Sequence, residues 1–335
     1  NYSRVFYDGK KLPKDELYKR YMKSYFSPVR DQLWDYINAL QFTPEKFHQF
    51  GQTPYLNLLL YGPPGSGKST FVYRLAMTLQ RHIISVDITT LINDRKLIYQ
   101  LFESPELNYR HYEPNECIFL LEEFDITIEY LRKMKEDCNK SDILLSYMMN
   151  YDNEYSYVPN KEEIKKNETK LNKNDDKNNK KDNYDSLNKL SKAKKKRESM
   201  LNLASFTGNR PFEMNDLLEI FQGPVPCDGR IIIATTNKYS EIKKESPALF
   251  RHGRLTPVEV KSINCDSLQE LSQYYFQEDL PEVFIDKLFA EEENLKIQTS
   301  HIIGIAVESN IKYNKKEEAY HNFINEMKNI NNIQD

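Results

Sequence analysis

Residues 62–70 read Gly62-Pro63-Pro64-Gly65-Ser66-Gly67-Lys68-Ser69-Thr70. Gly62, Gly67, Lys68 and Ser69 fall in register with G-x-x-x-x-G-K-[ST], and the chemistry of that spacing is phosphate binding. Glycines let backbone N–H groups curl around phosphate oxygens, and a following helix N-terminus favours negative charge. All nine residues are candidate nucleotide contacts. Lys68 can reach the β- and γ-phosphates, and Ser69 can ligate Mg²⁺.

A second cluster of acids follows an apolar run, in Leu120-Leu121-Glu122-Glu123-Phe124-Asp125. Alone it reads as a surface acid cluster at a strand end. Joined to a phosphate loop it reads as an acid pair for nucleotide hydrolysis. Glu122 is assigned to Mg²⁺, directly or through water, and Glu123 to polarising the water that attacks the γ-phosphate. Asp125 is the alternative base. Further on, Ala234-Thr235-Thr236-Asn237 ends another apolar run, and Asn237 can orient the attacking water. Lys238-Tyr239-Ser240 after it is a chance near-match to the base-reading motif of GTPases. Arg251 and Arg254, in Phe250-Arg251-His252-Gly253-Arg254, are planar cations suited to a transferring phosphoryl group. At a subunit edge they would serve the neighbour's nucleotide. The plain alternative is a pair of surface arginines.

These groups need elements to hold them. Leu56 to Tyr61, before the loop, is a short apolar run read as a buried strand. Phe71 to Met77, after it, has helical spacing. Four more strands are expected at His82–Asp87, Cys117–Leu121, Arg230–Thr235 and Thr256–Val260. The middle ones are continuously apolar, as in strands buried on both faces of a parallel sheet. Helical stretches alternate with them, which predicts a three-layer α/β domain. Residues 1 to about 50 read as helical, with Leu33, Trp34, Ile37 and Leu40 on one face and Pro28 near its start. From Cys265 onward the spacing predicts a small all-helical lid. The expected division is 1–27 as a remnant of, or link to, an N-terminal domain, 28–262 as the α/β domain, and 263–335 as lid and tail.

Residues ~153–200 break the alternation. Lys161, Lys165, Lys166, Lys170, Lys173, Lys177, Lys180, Lys181 and Lys194-Lys195-Lys196-Arg197 are spaced by Asn and Asp. Large apolar residues are nearly absent, so little surface can be buried against the entropy of ordering. A disordered or loosely helical insertion is expected. It is either a solvated loop or a basic patch for nucleic acid, an acidic partner or nuclear import.

The 335 residues carry 39% hydrophobic and 29% charged side chains and a net charge of −3, which argues neither for nor against nucleic acid. Cys117, Cys138, Cys227 and Cys265 form no C-x-x-C pair and have no histidine at ligand spacing. Free thiols in a reducing intracellular compartment are expected, the cytoplasm first. No apolar run reaches the roughly 20 residues of a membrane helix. The chain starts at Asn1, so tethering through a preceding segment stays open.

Taken together, the phosphate loop, Leu-Leu-Glu-Glu-Phe-Asp, Ala-Thr-Thr-Asn and Pro-Ala-Leu-Phe-Arg-His-Gly-Arg resemble the AAA ATPases. Within them the chain is most similar to the mitochondrial Rieske-protein translocase branch. Thr90 to Leu97, the Glu at the first acid position, and Leu217 to Gly223 carry that likeness. It covers residues 28–310 apart from the insertion. The resemblance implies sheet order 5-1-4-3-2, a helical lid, and a ring of six or seven subunits. It also implies ATP with Mg²⁺ between subunits, Arg251 and Arg254 acting in trans, and mechanical work on a protein client. The branch's own N-terminal domain and membrane helix are not recognisable here, with at most a remnant over residues 1–27, and its connection before the fourth strand is shorter. Mitochondrial location and an iron–sulfur client therefore do not transfer. The leading expectation is an ATP-hydrolysing ring that remodels or moves protein. A nucleic-acid motor using the basic insertion is the alternative, and a nucleotide-binding scaffold a third.

Overall fold

The computed structural model describes residues 2–4, 13–107, 109–136, 211–222, 228–290 and 293–331. Contacts divide the chain into two units. The first comprises Asn1–Leu91, Leu97–Glu129 and Met214–Asp335, and the second Ile92–Lys96 and Tyr130–Glu213. In the second, the Phe212 N–H donates to the Ile92 carbonyl at 2.8 Å. The basic segment 153–200, Cys138 and Cys227 lie outside the described residues.

The first unit is built on a six-stranded sheet. Its strands are β1 (Tyr2–Arg4), β2 (Leu56–Tyr61), β3 (His82–Ser85), β6 (Cys117–Leu121), β7 (Ile231–Thr236) and β8 (Thr256–Glu259). A short hairpin of β4 (Glu106–Leu107) and β5 (Arg110–His111) stands apart. The sheet order is β1-β3-β6-β7-β2-β8. From β8 to β3 all pairings are parallel, which is the 5-1-4-3-2 order. The detail that differs is β1, which pairs antiparallel on the outer edge of β3. Residues 2–4 are thus strand, not helix. The exposed edge of β3 offers unpaired N–H and C=O groups, and β1 satisfies them.

Alternation along the strands builds two apolar layers. Leu56, Leu58, Leu60, Ile118, Leu120, Ile231 and Ile233 share one cluster with Phe71, Val72 and Leu75 of the helix Lys68–Leu79. Leu33, Ile37 and Leu40 of the helix Pro28–Phe42 complete it, with Trp34 packed against its edge. That helix starts as its sequence indicates, with Pro28 in the first turn and the Ser27 hydroxyl accepting the Val29 N–H at 3.4 Å. On the opposite face Phe119 meets Phe102 at 4.9 Å between ring centroids. Fully burying each such side chain contributes about 1.5–3 kcal/mol relative to exposure.

The helices Cys265–Phe276, Glu282–Leu288, Thr299–Lys312 and Lys316–Asn331 share a separate cluster centred on Leu271, Phe276, Ile302 and Phe323. Adjacent residues tie the two cores together. Tyr25 packs in the sheet cluster and Phe26 in the helical one. No helix among the described residues is long and apolar enough to cross a membrane.

Candidate active site

A cavity of about 730 Å³ opens at the carboxyl ends of β2, β3, β6 and β7. Lys68, Ser69, Glu122, Glu123 and Asn237 all line it. Three chain segments far apart in sequence therefore converge on one volume.

The loop between β2 and the following helix is shaped by backbone that only glycine tolerates. Gly62 has φ +151°, and a Cβ there would lie 2.2 Å from the Val260 carbonyl oxygen. Gly65 has φ +75°, and a Cβ would overlap the Gln298 side chain at 2.5 Å. The Gly65 carbonyl accepts the Ser300 N–H at 3.2 Å, so the start of the helix Thr299–Lys312 rests on the loop. The Ser66 hydroxyl is buried without a hydrogen-bond partner. Lys68 Nζ donates to the loop's own carbonyls, Gly62 at 2.9 Å and Pro63 at 2.8 Å. Burial lowers its pKa below the ordinary lysine value. A half-buried cation satisfied by carbonyl dipoles, beside an orphaned buried hydroxyl, is chemically matched to a phosphate group. Pro63 and Thr70 are exposed, and neither is among the residues lining the cavity.

Ser69 Oγ donates to Glu122 Oε1 at 3.3 Å. One hydroxyl and one carboxylate side by side suit a hydrated Mg²⁺, which keeps several waters and takes few protein ligands. Glu123 is exposed and adopts φ +48°. A left-handed backbone at a residue with a Cβ is costly and is held only where its surroundings require it. Here the strand ends at Leu121 and a helix opens at Phe124, so the turn must reverse within two residues. The Glu123 carbonyl accepts the Ile126 N–H at 2.9 Å, and Phe124 is buried.

Asp125, the alternative base, is committed elsewhere. Its Oδ1 accepts the Thr236 hydroxyl at 2.8 Å, and its Oδ2 lies 3.7 Å from Lys238 Nζ. Thr236 and Lys238 were not legible as site residues from local spacing. Their shared partner Asp125 is 111 positions upstream of Thr236, and no periodicity reports such a contact.

Arg251 and Arg254 are not among the residues lining the cavity. Arg251 is exposed. Arg254 is half-buried and donates to the Ala248 carbonyl at 2.7 Å. Their loop is pinned by the Tyr55 hydroxyl, which donates to the Gly253 carbonyl at 2.9 Å. An aromatic series also leads to it. Tyr61 stacks on Tyr239 at 4.0 Å, and Tyr239 meets Phe250 edge-on at 5.4 Å.

The family model described as "ATPase family associated with various cellular activities (AAA)" matches residues 58–169. That span holds the phosphate loop, Glu122 and Glu123. ATPase family gene 2 protein homolog B of Bos taurus is 30% identical over 112 residues, covering 32% of this chain and 14% of that protein. A mitochondrial AAA-ATPase of Arabidopsis thaliana is 24% identical over 130 residues, 36% of this chain and 27% of that protein. The match thus spans about a quarter or less of either relative's length. The fold, the loop geometry and these likenesses agree: residues 58–169 match the AAA ATPase family.

Proposed function

We propose that the chain hydrolyses ATP as a subunit of a ring and uses the cycle to remodel or move a protein client. The observation that carries this reading is the division of the polar groups. Lys68, Ser69, Glu122, Glu123 and Asn237 face one cavity, while Arg251 and Arg254 stand outside it.

Lys68 leaves the Gly62 and Pro63 carbonyls for the β- and γ-phosphates, exchanging dipolar acceptors for a charged one. Ser69 and Glu122 would hold Mg²⁺, which would neutralise developing charge on the phosphates. Glu123 takes a proton from water as the water attacks the γ-phosphorus and the bond to the bridging oxygen breaks to release ADP, and Asn237 orients that water. Arg251 and Arg254 reach the nucleotide of the adjacent subunit, so each site is complete only in the assembly. The 1–27, 28–262 and 263–335 division belongs to this reading. So does kinship to the Rieske-protein translocase branch, supported by Thr90 to Leu97 and Leu217 to Gly223.

The test is ATPase rate against protein concentration, with mass by light scattering in ATP and in ADP. A rate per subunit that rises as a six- or seven-fold species appears is the expected result. Mixing Arg251→Ala with Glu123→Gln should restore part of the turnover, because each variant supplies what the other lacks. No rescue between folded, oligomeric variants would sink the trans assignment. Hydrolysis stimulated by DNA with strong salt dependence would turn the reading toward a nucleic-acid motor.

A further inference from the structure

At the carboxyl end of β7 the Thr236 side chain sits between two strands' worth of chemistry. It is 3% exposed. Its hydroxyl donates to Asp125 Oδ1 at 2.8 Å and accepts the Lys238 N–H at 2.9 Å. The direction of this chain is forced. A backbone N–H can only donate, so the single hydroxyl proton must point to the carboxylate. A bond of that kind, to a charged acceptor, is among the stronger ones a neutral donor makes.

The position of the link gives it meaning. Asp125 is two residues past Glu123, on the first turn of the helix that opens at Phe124. Asn237 lies between Thr236 and Lys238, within the small turn closed by the Lys238 N–H to Thr236 bond. Each end of the link is thus next to a group assigned to the attacking water. Glu123 also sits in a left-handed backbone conformation that needs external support. Lys238 Nζ lies 3.7 Å from the other Asp125 oxygen, so both carboxylate oxygens face a partner.

We propose that Asp125 and Thr236 are positioning residues that fix the Glu123 carboxylate against the Asn237 amide, with Lys238 holding Asp125 in that task. The inference rests on the proposed hydrolysis. It assigns Asp125 a role other than the base, and it predicts that turnover falls while nucleotide binding does not.

The experiment compares Thr236→Val, which keeps shape and removes the hydroxyl, with Thr236→Ser, which keeps the hydroxyl. Glu123→Gln is the control. Steady-state hydrolysis gives kcat and KM, a fluorescent ATP analogue gives affinity, and urea unfolding gives stability. Thr236→Val is expected to lower kcat by about 10-fold or more, within the range for loss of aligned acid–base groups. KM and analogue affinity should stay within about 2-fold, since uniform binding is untouched. Thr236→Ser should recover most of the rate. In the Glu123→Gln background Thr236→Val should add little, because the two act as a unit. A Thr236→Val kcat like wild type, with Glu123→Gln inactive, overturns this inference and leaves the hydrolysis reading standing. Full turnover in Glu123→Gln overturns that reading itself. Equal losses in Thr236→Val and Thr236→Ser, in step with lost stability, would show a packing role and overturn the inference. If Thr236→Val does not fold, Asp125→Asn decides by the same split between kcat and affinity.

Discussion

The same parallel strands carry a cavity at each end, and the two ends handle charge in opposite ways. At the carboxyl ends, the border of the cavity of about 730 Å³ includes Lys68, bonded to the glycine loop, and the Ser69–Glu122 and Thr236–Asp125 pairs. At the amino ends, a cavity of about 850 Å³ is bordered by Arg81, His82, Arg110, Glu116 and Asp228. Arg81 is 3% exposed there, and its guanidinium donates to Gln41 Oε1, to the Gly229 carbonyl and to the Cys117 carbonyl. These bonds join the helix Pro28–Phe42 to the starts of β6 and β7. The larger cavity is thus the one whose buried cation ties the fold together. Cavity size does not mark the site. What marks it is polar groups whose present partners are replaceable, set on a backbone strained at Glu123.

The sharpest way to break that comparison is to remove the cation at each end. Lys68→Ala should weaken ATP binding by about 100-fold or more, on the scale of a lost charge-assisted phosphate contact. Its stability should change little, since the loop carbonyls it releases can take water. Titration with a fluorescent ATP analogue checks the first and urea unfolding the second. Unchanged affinity would remove the reason for treating the carboxyl end as the site. Arg81→Met should do the reverse. It leaves the buried Cys117 carbonyl and the half-buried Gln41 and Gly229 acceptors without their donor, at a cost of about 3 kcal/mol. Turnover per folded subunit should match wild type.

How legible each end was follows from how local its signals are. The phosphate loop and its flanking strand and helix lie within 24 residues and announce themselves by period and glycine spacing. The placing of Glu122 and Glu123 at the cavity was readable because a continuous apolar run ends at them. The parallel order was readable from strands that alternate with helices. Three residues of β1 carry no period, and their partners lie some eighty positions away, so the sixth strand was not foreseen. Arg81 reads in isolation as an ordinary charge at a helix end. Only the fold shows that it reaches Gly229, 148 positions on. Thr236 is a third such case, since β-branched residues at strand ends are commonplace until their neighbour across the sheet is known.

A second contrast between the ends lies in pH. Cys117, the first residue of β6, is fully buried. Burial pushes its thiol up to about 12, with Glu116 adding and Arg81 opposing. The folded state then keeps the proton over a window in which the unfolded chain, titrating near 9, has released it. Stability from this group is complete below pH 9 and is lost as pH rises toward 12. Between pH 9 and 10.5 the loss is roughly 2 kcal/mol. Urea midpoints for wild type and Cys117→Ala across that window should converge as pH rises. Parallel curves would mean the thiol does not titrate differently on folding.

The smallest expected effect concerns the aromatic series that leaves the carboxyl end. Tyr61 closes β2 just before Gly62, and its ring stacks on Tyr239 at 18° between planes. Lys243 sits over the same Tyr239 ring, and Phe250 abuts its edge one residue before Arg251. Such ring pairs contribute about 0.5–1.5 kcal/mol beyond their buried area. Tyr239→Ala should therefore cost about 1 kcal/mol of stability. If Arg251 serves the neighbouring subunit, loosening its support should lower the ring-dependent rate by about 5-fold, since about 1 kcal/mol is worth roughly that in an equilibrium. ATP affinity of the dilute subunit should not move, because Tyr239 is not among the residues lining the cavity. A fall in that affinity instead would mean the stack supports the phosphate loop through Tyr61, and the arginine loop would rest on the Tyr55 and Ala248 bonds.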